Sequence, residues 1–168
     1  MVRPQILKSI DGDLPTVVKR IKPKKFDTEK FSAITKSLFK NMDGKEFEKR
    51  CEPIVMEILR KYEGFEKVVK GPNFRGTPFD FFGFRNDRPY MIEFKGSLDY
   101  YNSPDETEKR RLKEILERFE GLGVALLQVK LHDGVYRIFY DEDLSELFKG
   151  RKVPTEPIIS WIEENIRR

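Results

Sequence analysis

The chain has 168 residues, a length that suits one domain, and 38% of them are hydrophobic, which is enough to bury a core. One cysteine and one histidine exclude an internal disulfide, a Cys/His zinc cage and a Cys-ligated iron–sulfur cluster within one chain, so any metal must be held mainly by oxygen. No apolar run reaches the ~18 residues of a membrane helix and the first residues open no signal peptide, so we expect no membrane association and a cytoplasmic protein.

Positive charge is concentrated at the beginning of the chain. Residues 1–40 carry 10 Lys and Arg against 4 Asp and Glu, whereas residues 41–168 carry 23 against 25. This excess suits a polyanion such as nucleic acid, although a solvated lysine-rich surface explains it equally well. We therefore divide the chain into a basic arm with a helix, residues 1–42, and a main domain with C-terminal helices, residues 43–168. The high content of charged residues, 37%, is typical of thermophilic proteins.

Helical and strand-like patterns follow one another along the chain. They predict, in order, helices at about 28–42 and 45–62, strands at 65–70, 77–84 and 89–96, a helix that starts at 103–106 and runs to 119, strands at 124–129 and 135–140, and helices at about 141–149 and 155–167. This order indicates an α/β or α+β fold with a mixed sheet.

The run from Thr77 to Gly96 is the most informative part of the sequence. Its two strand-like segments flank the turn-rich residues 85–88, which predict a hairpin with a four-residue loop. The register of that hairpin places Asp80 directly opposite Glu93, with Cβ atoms about 4.5–5.5 Å apart. Lys95 projects from the same face because it lies two residues beyond Glu93.

Two opposed carboxylates require a compensating interaction, since like charges directly opposite each other destabilise a pair of strands. A bound Mg²⁺ or Mn²⁺ ion would compensate the two charges, because hard oxygen ligands suit such ions and the ion relieves the repulsion. Lys95 would then hold the attacking water or stabilise charge on phosphorus, which favours phosphodiester hydrolysis over acyl transfer. The alternative is a solvated strand face, but Phe82 and Met91 share that face, and charges among such residues are unlike a simple surface.

Three sequence segments resemble the PD-(D/E)XK nuclease superfamily, which includes archaeal Holliday-junction resolvases and Mrr-like restriction endonucleases. They are Gly44-x-x-Phe47-Glu48 on a helix, Pro78-x-Asp80, and Ile92-Glu93-Phe94-Lys95-Gly96. The resemblance covers roughly residues 44–140. It implies a restriction-endonuclease-like αβββαβ core with a mixed central sheet flanked by helices, and Mg²⁺-dependent phosphodiester cleavage.

The resemblance also implies roles for individual residues. Asp80 and Glu93 would be metal ligands with the Phe94 carbonyl as a third, Lys95 would match the family lysine, and Glu48 would match the acid of the first helix. Two features depart from the family pattern. Phe79 separates Pro78 from Asp80, and Lys109 stands where some branches place a glutamine.

Basic and aromatic residues provide candidate contacts with nucleic acid. The candidates for phosphate contacts are Lys70, Arg75, Lys109, Arg110 and Arg111, each of which also suits an ordinary surface position. Tyr100 and Tyr101 suit stacking on an unpaired base or packing against the following helix. Trp161 in the last helix suits the core or a subunit contact.

The leading hypothesis from the sequence is a metal-dependent endonuclease acting on DNA, including branched or damaged DNA, with RNA not excluded and a homodimer as a candidate assembly. The second is a non-catalytic nucleic-acid-binding or scaffolding protein on the same fold, because a fold does not guarantee its usual activity. A weaker third hypothesis is an interaction module that dimerises through its terminal helices. The first hypothesis requires that Asp80 and Glu93 bind a divalent ion, whereas the second does not, so ion binding discriminates the two.

Overall fold

The computed structural model describes residues 20–29, 31, 44–71, 73–74, 77–78, 80–148 and 156–166. They form an α+β fold in which helices flank a six-stranded mixed sheet. The elements are, in chain order, β1 (Lys24–Lys25), α1 (Gly44–Glu57, continued by a π-helical segment at Ile58–Tyr62), β2 (Glu66–Lys70), β3 (Asn73–Phe74), β4 (Thr77–Pro78), β5 (Phe81–Arg85), β6 (Arg88–Ser97), α2 (Glu106–Arg118), β7 (Gly123–Lys130), β8 (Val135–Tyr140), α3 (Asp141–Phe148) and α4 (Glu156–Asn165).

The six-stranded sheet has the order β1-β8-β7-β6-β5-β2, and β3 pairs with β4 in a separate short hairpin. Strands β6 and β7 are parallel, whereas the other neighbours in the large sheet are antiparallel. A parallel pair needs a crossover connection, and α2 lies in that connection between β6 and β7. The start of α2 thereby follows the end of β6, where Lys95 lies.

Apolar clusters cover both faces of the central strands. Tyr90, Ile92 and Phe94 of β6 belong to the core that contains the buried face of α1. Met91 of the same strand packs in a second cluster with Leu112 of α2. Because β6 is covered on both sides, its sequence is apolar at consecutive positions rather than strictly alternating.

The predicted register of the β5–β6 hairpin is confirmed, but its predicted loop length is wrong. Phe81 pairs with Ile92 and Phe84 with Pro89, as the four-residue loop required, and the pairing then continues to Arg85 and Arg88. The turn therefore contains two residues, Asn86 and Asp87, with φ angles of 53° and 59°. Asn and Asp tolerate this left-handed region, and two-residue turns of this kind match the twist of the strands.

Part of the basic arm joins the sheet. Strand β1 pairs with β8, and Phe26 and Phe31 lie in the core beside α1. The predicted helix at 28–42 lies outside the described residues except for Thr28, Glu29 and Phe31. The division of the chain at residue 42 stays a prediction.

In the described part of the chain, none of the helices combines the length and the apolar character that crossing a membrane requires.

Candidate active site

The β5–β6 hairpin brings Asp80 beside Glu93. Asp80 directly precedes β5, and its carboxylate accepts a hydrogen bond from the Phe94 N–H at 2.8 Å. Its carbonyl oxygen accepts a second bond from the Gly71 N–H at 2.7 Å. A hydrogen bond also joins the Asp80 and Glu93 side chains. The hairpin register therefore delivers the predicted juxtaposition of two carboxylates on one face.

Lys95 lies on the same strand and contacts a carboxylate that the sequence analysis did not select. Its ammonium is 2.6 Å from Glu108 Oε2, and the two side chains are 14% and 12% exposed. Glu108 comes from the first turn of α2, one residue before Lys109, the position that we expected to match the family pattern. The spacing of Asp105 and Glu108 shows the helix start in the sequence, but only the packing of α2 on the sheet directs Glu108 to Lys95.

Glu48 on α1 completes what we call the acidic cluster, namely Glu48, Asp80, Glu93 and Glu108. Glu48 lies on an accessible part of α1, close enough to Asp80, Lys95 and Glu108 to interact electrostatically with all three. Partial burial and the nearby charge of Asp80 raise the pKa of its carboxyl group. Around Lys95, α1 thus contributes one acid, the β5–β6 hairpin two and the crossover helix α2 one.

The carboxylates of the cluster differ strongly in their proton affinity. Burial, a hydrogen bond to Glu108 and the charge of Asp80 raise the pKa of Glu93 to about 10. Burial also raises the pKa of Asp80, although the Phe94 N–H partly offsets this effect. Burial opposes ionisation of Glu108, but hydrogen bonds with Glu93 and Lys95 outweigh it and lower the Glu108 pKa to about 2. Glu93 therefore holds a proton more tightly than Glu108 does, and Glu108 is the more readily ionised of the two.

Lys95 remains a cation in this environment. Burial acts to lower its pKa, but the hydrogen bond and the charge of Glu108 raise it overall, with further contributions from Glu93 and Glu48. One lysine faces four carboxyl groups, so the protein itself supplies less positive charge than full ionisation of the cluster requires.

The donors that a metal ion would need are oxygen atoms of this cluster. Within the described ranges, no three His, Cys, Asp or Glu residues adopt an arrangement that could hold a metal ion. Asp80 and Glu93 are adjacent oxygen donors, and burial is the main cause of the raised pKa of each carboxyl group. The divalent cation expected at Asp80, Glu93 and the Phe94 carbonyl stays a prediction.

A buried polar chain extends from Lys95 across the sheet. Gln128 on β7 is paired with Lys95 in the parallel register and is fully buried. Its amide donates to the Asn102 carbonyl at 2.8 Å, and its oxygen accepts from Arg137 Nε at 2.6 Å. The guanidinium of Arg137 lies 4.0 Å from the ring centroid of Tyr101. These contacts anchor the loop between β6 and α2, and the sequence analysis missed them because they join residues far apart in the chain.

The candidate phosphate contacts lie in different surroundings. Lys70 is largely exposed, bonds to Glu52 at 2.6 Å and interacts electrostatically with Asp80, so it lies beside the cluster. Lys109 and Arg110 line a surface cavity of about 320 Å³ together with Glu106 and Lys113. The Nε atom of Arg111 is buried and has no hydrogen-bond partner among the described residues, which makes Arg111 less accessible than exposed Arg110. Arg75 lies outside the described residues.

The aromatic candidates also differ in how exposed their side chains are. Tyr101 is buried beneath Lys130 of β7 and Arg137 of β8, so its ring is not available for base stacking, and its packing against the following helix stays a prediction. Tyr100 is 52% exposed and remains available. Trp161 is 58% exposed, which excludes a core position within this chain and leaves the subunit contact as a prediction.

Comparison of the chain with protein-family models, with curated proteins and with solved structures finds no match. The functional interpretation therefore depends on the residues and the geometry described above.

Proposed function

We propose that this chain is a Mg²⁺- or Mn²⁺-dependent endonuclease that hydrolyses phosphodiester bonds of DNA. One observation carries the proposal: Asp80, Glu93 and Lys95 meet on one face of the β5–β6 hairpin, within a cluster that has more carboxylates than its lysine can balance. A purely structural hairpin gives no reason for this arrangement, because opposed carboxylates destabilise it.

The topology supports a restriction-endonuclease-like core. The elements α1, β2, β5, β6, α2 and β7 follow one another in the αβββαβ order that the PD-(D/E)XK resemblance implies, with the short β3–β4 hairpin inserted. Strands β2, β5, β6 and β7 are neighbours in that order, and β6 and β7 are the parallel pair. The two acids and the lysine of the motif accordingly lie on and beside the middle strands of this core.

The residues of the site suggest how they would act on a phosphodiester. A divalent cation held by Asp80, Glu93 and the Phe94 carbonyl would supply Lewis acidity beside the scissile phosphate. Lys95 would orient the attacking water and stabilise the negative charge that develops on the phosphoryl oxygens. The water oxygen forms a bond to phosphorus while the ester P–O bond breaks. The leaving oxygen takes up a proton, which yields a phosphate monoester and a free hydroxyl group.

Charge around the site suggests how a polyanion would be held. Lys70 and Arg110 are accessible cations at the edge of β2 and on α2, and phosphate contacts of this kind give affinity without sequence preference. We propose that these residues and the basic arm hold the DNA backbone, with Tyr100 available to stack on an unpaired base. In this proposal, the alternative substrates are branched DNA, damaged DNA and RNA.

The competing proposal is a non-catalytic nucleic-acid-binding or scaffolding protein. The contact that favours it is the Lys95–Glu108 ion pair, because it engages the lysine with a partner inside the protein. Such a protein would bind nucleic acid through its basic residues with no need for a divalent ion.

The deciding experiment measures cleavage of labelled branched DNA, duplex DNA, single-stranded DNA and RNA with Mg²⁺ or Mn²⁺. We expect Asp80→Asn and Lys95→Ala to lower the rate by at least about 100-fold, since each removes a group that acts on the transition state. Asp87→Asn, in the exposed hairpin turn, and Lys61→Ala, at the exposed end of the π-helical segment, are matched controls that should keep the activity. If no substrate is cut and no divalent ion raises the melting temperature, the enzymatic proposal fails and the binding protein remains.

A further inference from the structure

Three sets of bonds hold Glu108 in place: those with Asp105, the contact with Lys95, and a hydrogen bond with the Glu93 side chain. The Oε1 atom of Glu108 accepts a hydrogen bond from the Asp105 N–H at 3.1 Å, and its own N–H donates to Asp105 Oδ1 at 2.8 Å. These reciprocal bonds form a capping box at the start of α2. Its second oxygen, Oε2, contacts Lys95 Nζ at 2.6 Å. The carboxylate therefore links the helix cap to the lysine of the candidate site.

The helix cap alone does not require a charged residue at this position. A capping box functions with Gln as well as Glu, because only the side-chain oxygen accepts the hydrogen bond. Glu108 is 12% exposed, and keeping an ionised carboxylate there needs a partner. Lys95 is that partner, so the negative charge of Glu108 fixes the Lys95 ammonium as well as stabilising the start of the helix.

Lys95 has an alternative place for its ammonium. A lysine side chain is a flexible stem with a compact charge, and Glu93 and Glu48 lie close enough to attract it. If Lys95 turned toward the Asp80–Glu93 pair, its ammonium would occupy the position of the proposed divalent cation. Glu108 opposes that movement by holding Lys95 from the side of α2.

We propose that Glu108 is a positioning residue that keeps the Lys95 ammonium beside, and not between, the Asp80 and Glu93 carboxylates. The inference depends on the proposed function, because it assigns to Glu108 the task of keeping the cation position open and the lysine aligned with the phosphate. It also makes Glu108, but not its capping partner Asp105, part of the active site.

The test compares Glu108→Gln with Asp105→Ala in the full-length chain. E108Q keeps an acceptor for the Asp105 N–H but loses the charge that holds Lys95. Asp105→Ala removes the cap while it leaves the Glu108 carboxylate. Mn²⁺ binding is measured by titration calorimetry without DNA, and kcat and KM are measured on the substrate that the wild type cuts.

We expect E108Q to raise the Kd for Mn²⁺ and to lower kcat, each by about 10- to 100-fold, at unchanged KM. Asp105→Ala should lower the melting temperature but change Kd and kcat by less than about threefold, as a variant that only weakens the helix does. Glu108→Asp retains the charge on a shorter stem and should recover part of the Mn²⁺ affinity, so it provides a second test if E108Q melts early.

The Lys95→Ala background separates positioning from a direct charge effect. Without the lysine, E108Q should change the Mn²⁺ Kd by less than about threefold, because the competing ammonium is gone. An equal loss of affinity in both backgrounds would overturn the inference and make Glu108 an electrostatic partner of the metal itself. If the wild type binds Mn²⁺ and cuts its substrate, and E108Q does both equally well, this inference alone is overturned. A wild type that neither binds Mn²⁺ nor cuts would overturn both the proposed function and the role of Glu108.

Discussion

Glu63 is a buried carboxylate outside the acidic cluster that ties three parts of the fold together. It accepts hydrogen bonds from the hydroxyl groups of Tyr136 at 2.6 Å and Tyr140 at 2.7 Å, and Lys24 lies 2.8 Å away. Burial alone would raise the pKa of Glu63, but these partners outweigh it and lower the pKa below its usual value of 4.5. Glu63 is therefore ionised in the folded protein and joins the end of α1 to β1 and β8.

This lowered pKa makes the contribution of Glu63 to stability depend on pH. A group with a lower pKa in the folded state stabilises the fold above its unfolded pKa, and this stabilisation is lost as the pH falls through the folded pKa. We expect Glu63→Gln to lower the free energy of unfolding by about 1.5–3 kcal/mol at pH 7, since hydrogen bonds to a buried charge are lost. The deficit should shrink as the pH falls from the usual value of 4.5 through the lower pKa of Glu63 in the folded protein.

Urea unfolding of wild type and Glu63→Gln at several pH values measures this effect. Glu66→Gln, at an exposed position of β2, is the matched control and should show little difference at any pH. A deficit of constant size between pH 7 and pH 3 would contradict the assignment of the charge to Glu63.

At the scale of elements, the β5–β6 hairpin determines the geometry of the candidate site. Asp80 and Glu93 lie side by side only in the observed register, because a shift of one residue would turn Glu93 and Lys95 to the other face. The two-residue turn at Asn86 and Asp87, with positive φ at both residues, fixes that register. The turn thus stabilises an arrangement of charges that the strands themselves would disfavour.

Substitution at Asp87 tests the contribution of the turn. We expect Asp87→Val to lower the free energy of unfolding by about 1–2 kcal/mol, since a β-branched residue is strained at positive φ. Asp87→Gly should instead be neutral or stabilising by up to about 1 kcal/mol, because Asn-Gly is the preferred sequence for such a turn. Chemical denaturation of the two variants beside the wild type measures the difference. Equal stability of the two variants would show that the turn conformation does not constrain the fold.

The edge strand β2 illustrates a second constraint at this scale. Its pairing with β5 is interrupted between Glu66 and Val69, and Lys67 within that interval has a φ of 50°. Such a bulge twists an edge strand and hinders its pairing with another chain. Any association of two copies is therefore not expected at this edge of the sheet.

At the scale of the whole molecule, α4 presents a surface that is unlike the rest of the described fold. Trp161 and Ile162 of this ten-residue helix and Ile166, which directly follows it, are all exposed, and helical spacing places them on one side. A helix of this length is marginal in water by itself, and exposed large apolar side chains in one patch indicate a binding surface. We expect a second copy of the chain to cover it, in agreement with the predicted homodimer.

Sedimentation equilibrium over a range of protein concentrations tests this expectation. Wild type should associate, and Trp161→Glu should remain a monomer, since a charge in an apolar interface is costly to desolvate. Ser160→Glu adds the same charge on the opposite side of α4 and should associate like the wild type. If all three proteins have the same mass at every concentration, α4 does not mediate self-association.

Local patterns in the sequence predicted the four described helices, strands β2 and β5 to β8, and the central hairpin, but they did not predict β1 and β3 and they merged β4 with β5. The alternation of side chains along 77–96 and the turn residues between the strands predicted that Asp80 and Glu93 meet with Lys95 on one face. Strand alternation and turn chemistry act within a few residues, so they can be read without knowledge of the fold. The loop length was misjudged because the pairing extends through two arginines that the apolar pattern did not include in the strands.

Only the tertiary structure decided which residues from distant segments join that hairpin. Glu108 contacts Lys95, Tyr101 is buried beneath Arg137, and Glu48 approaches Asp80, because α2, the loop before it and α1 pack against the sheet in one particular way. Such contacts depend on the position and rotation of whole elements, which the packing of two separate apolar clusters determines. A helix pattern predicts which residues share a face, but the residue that this face meets across the sheet is set by the packing of the complete fold.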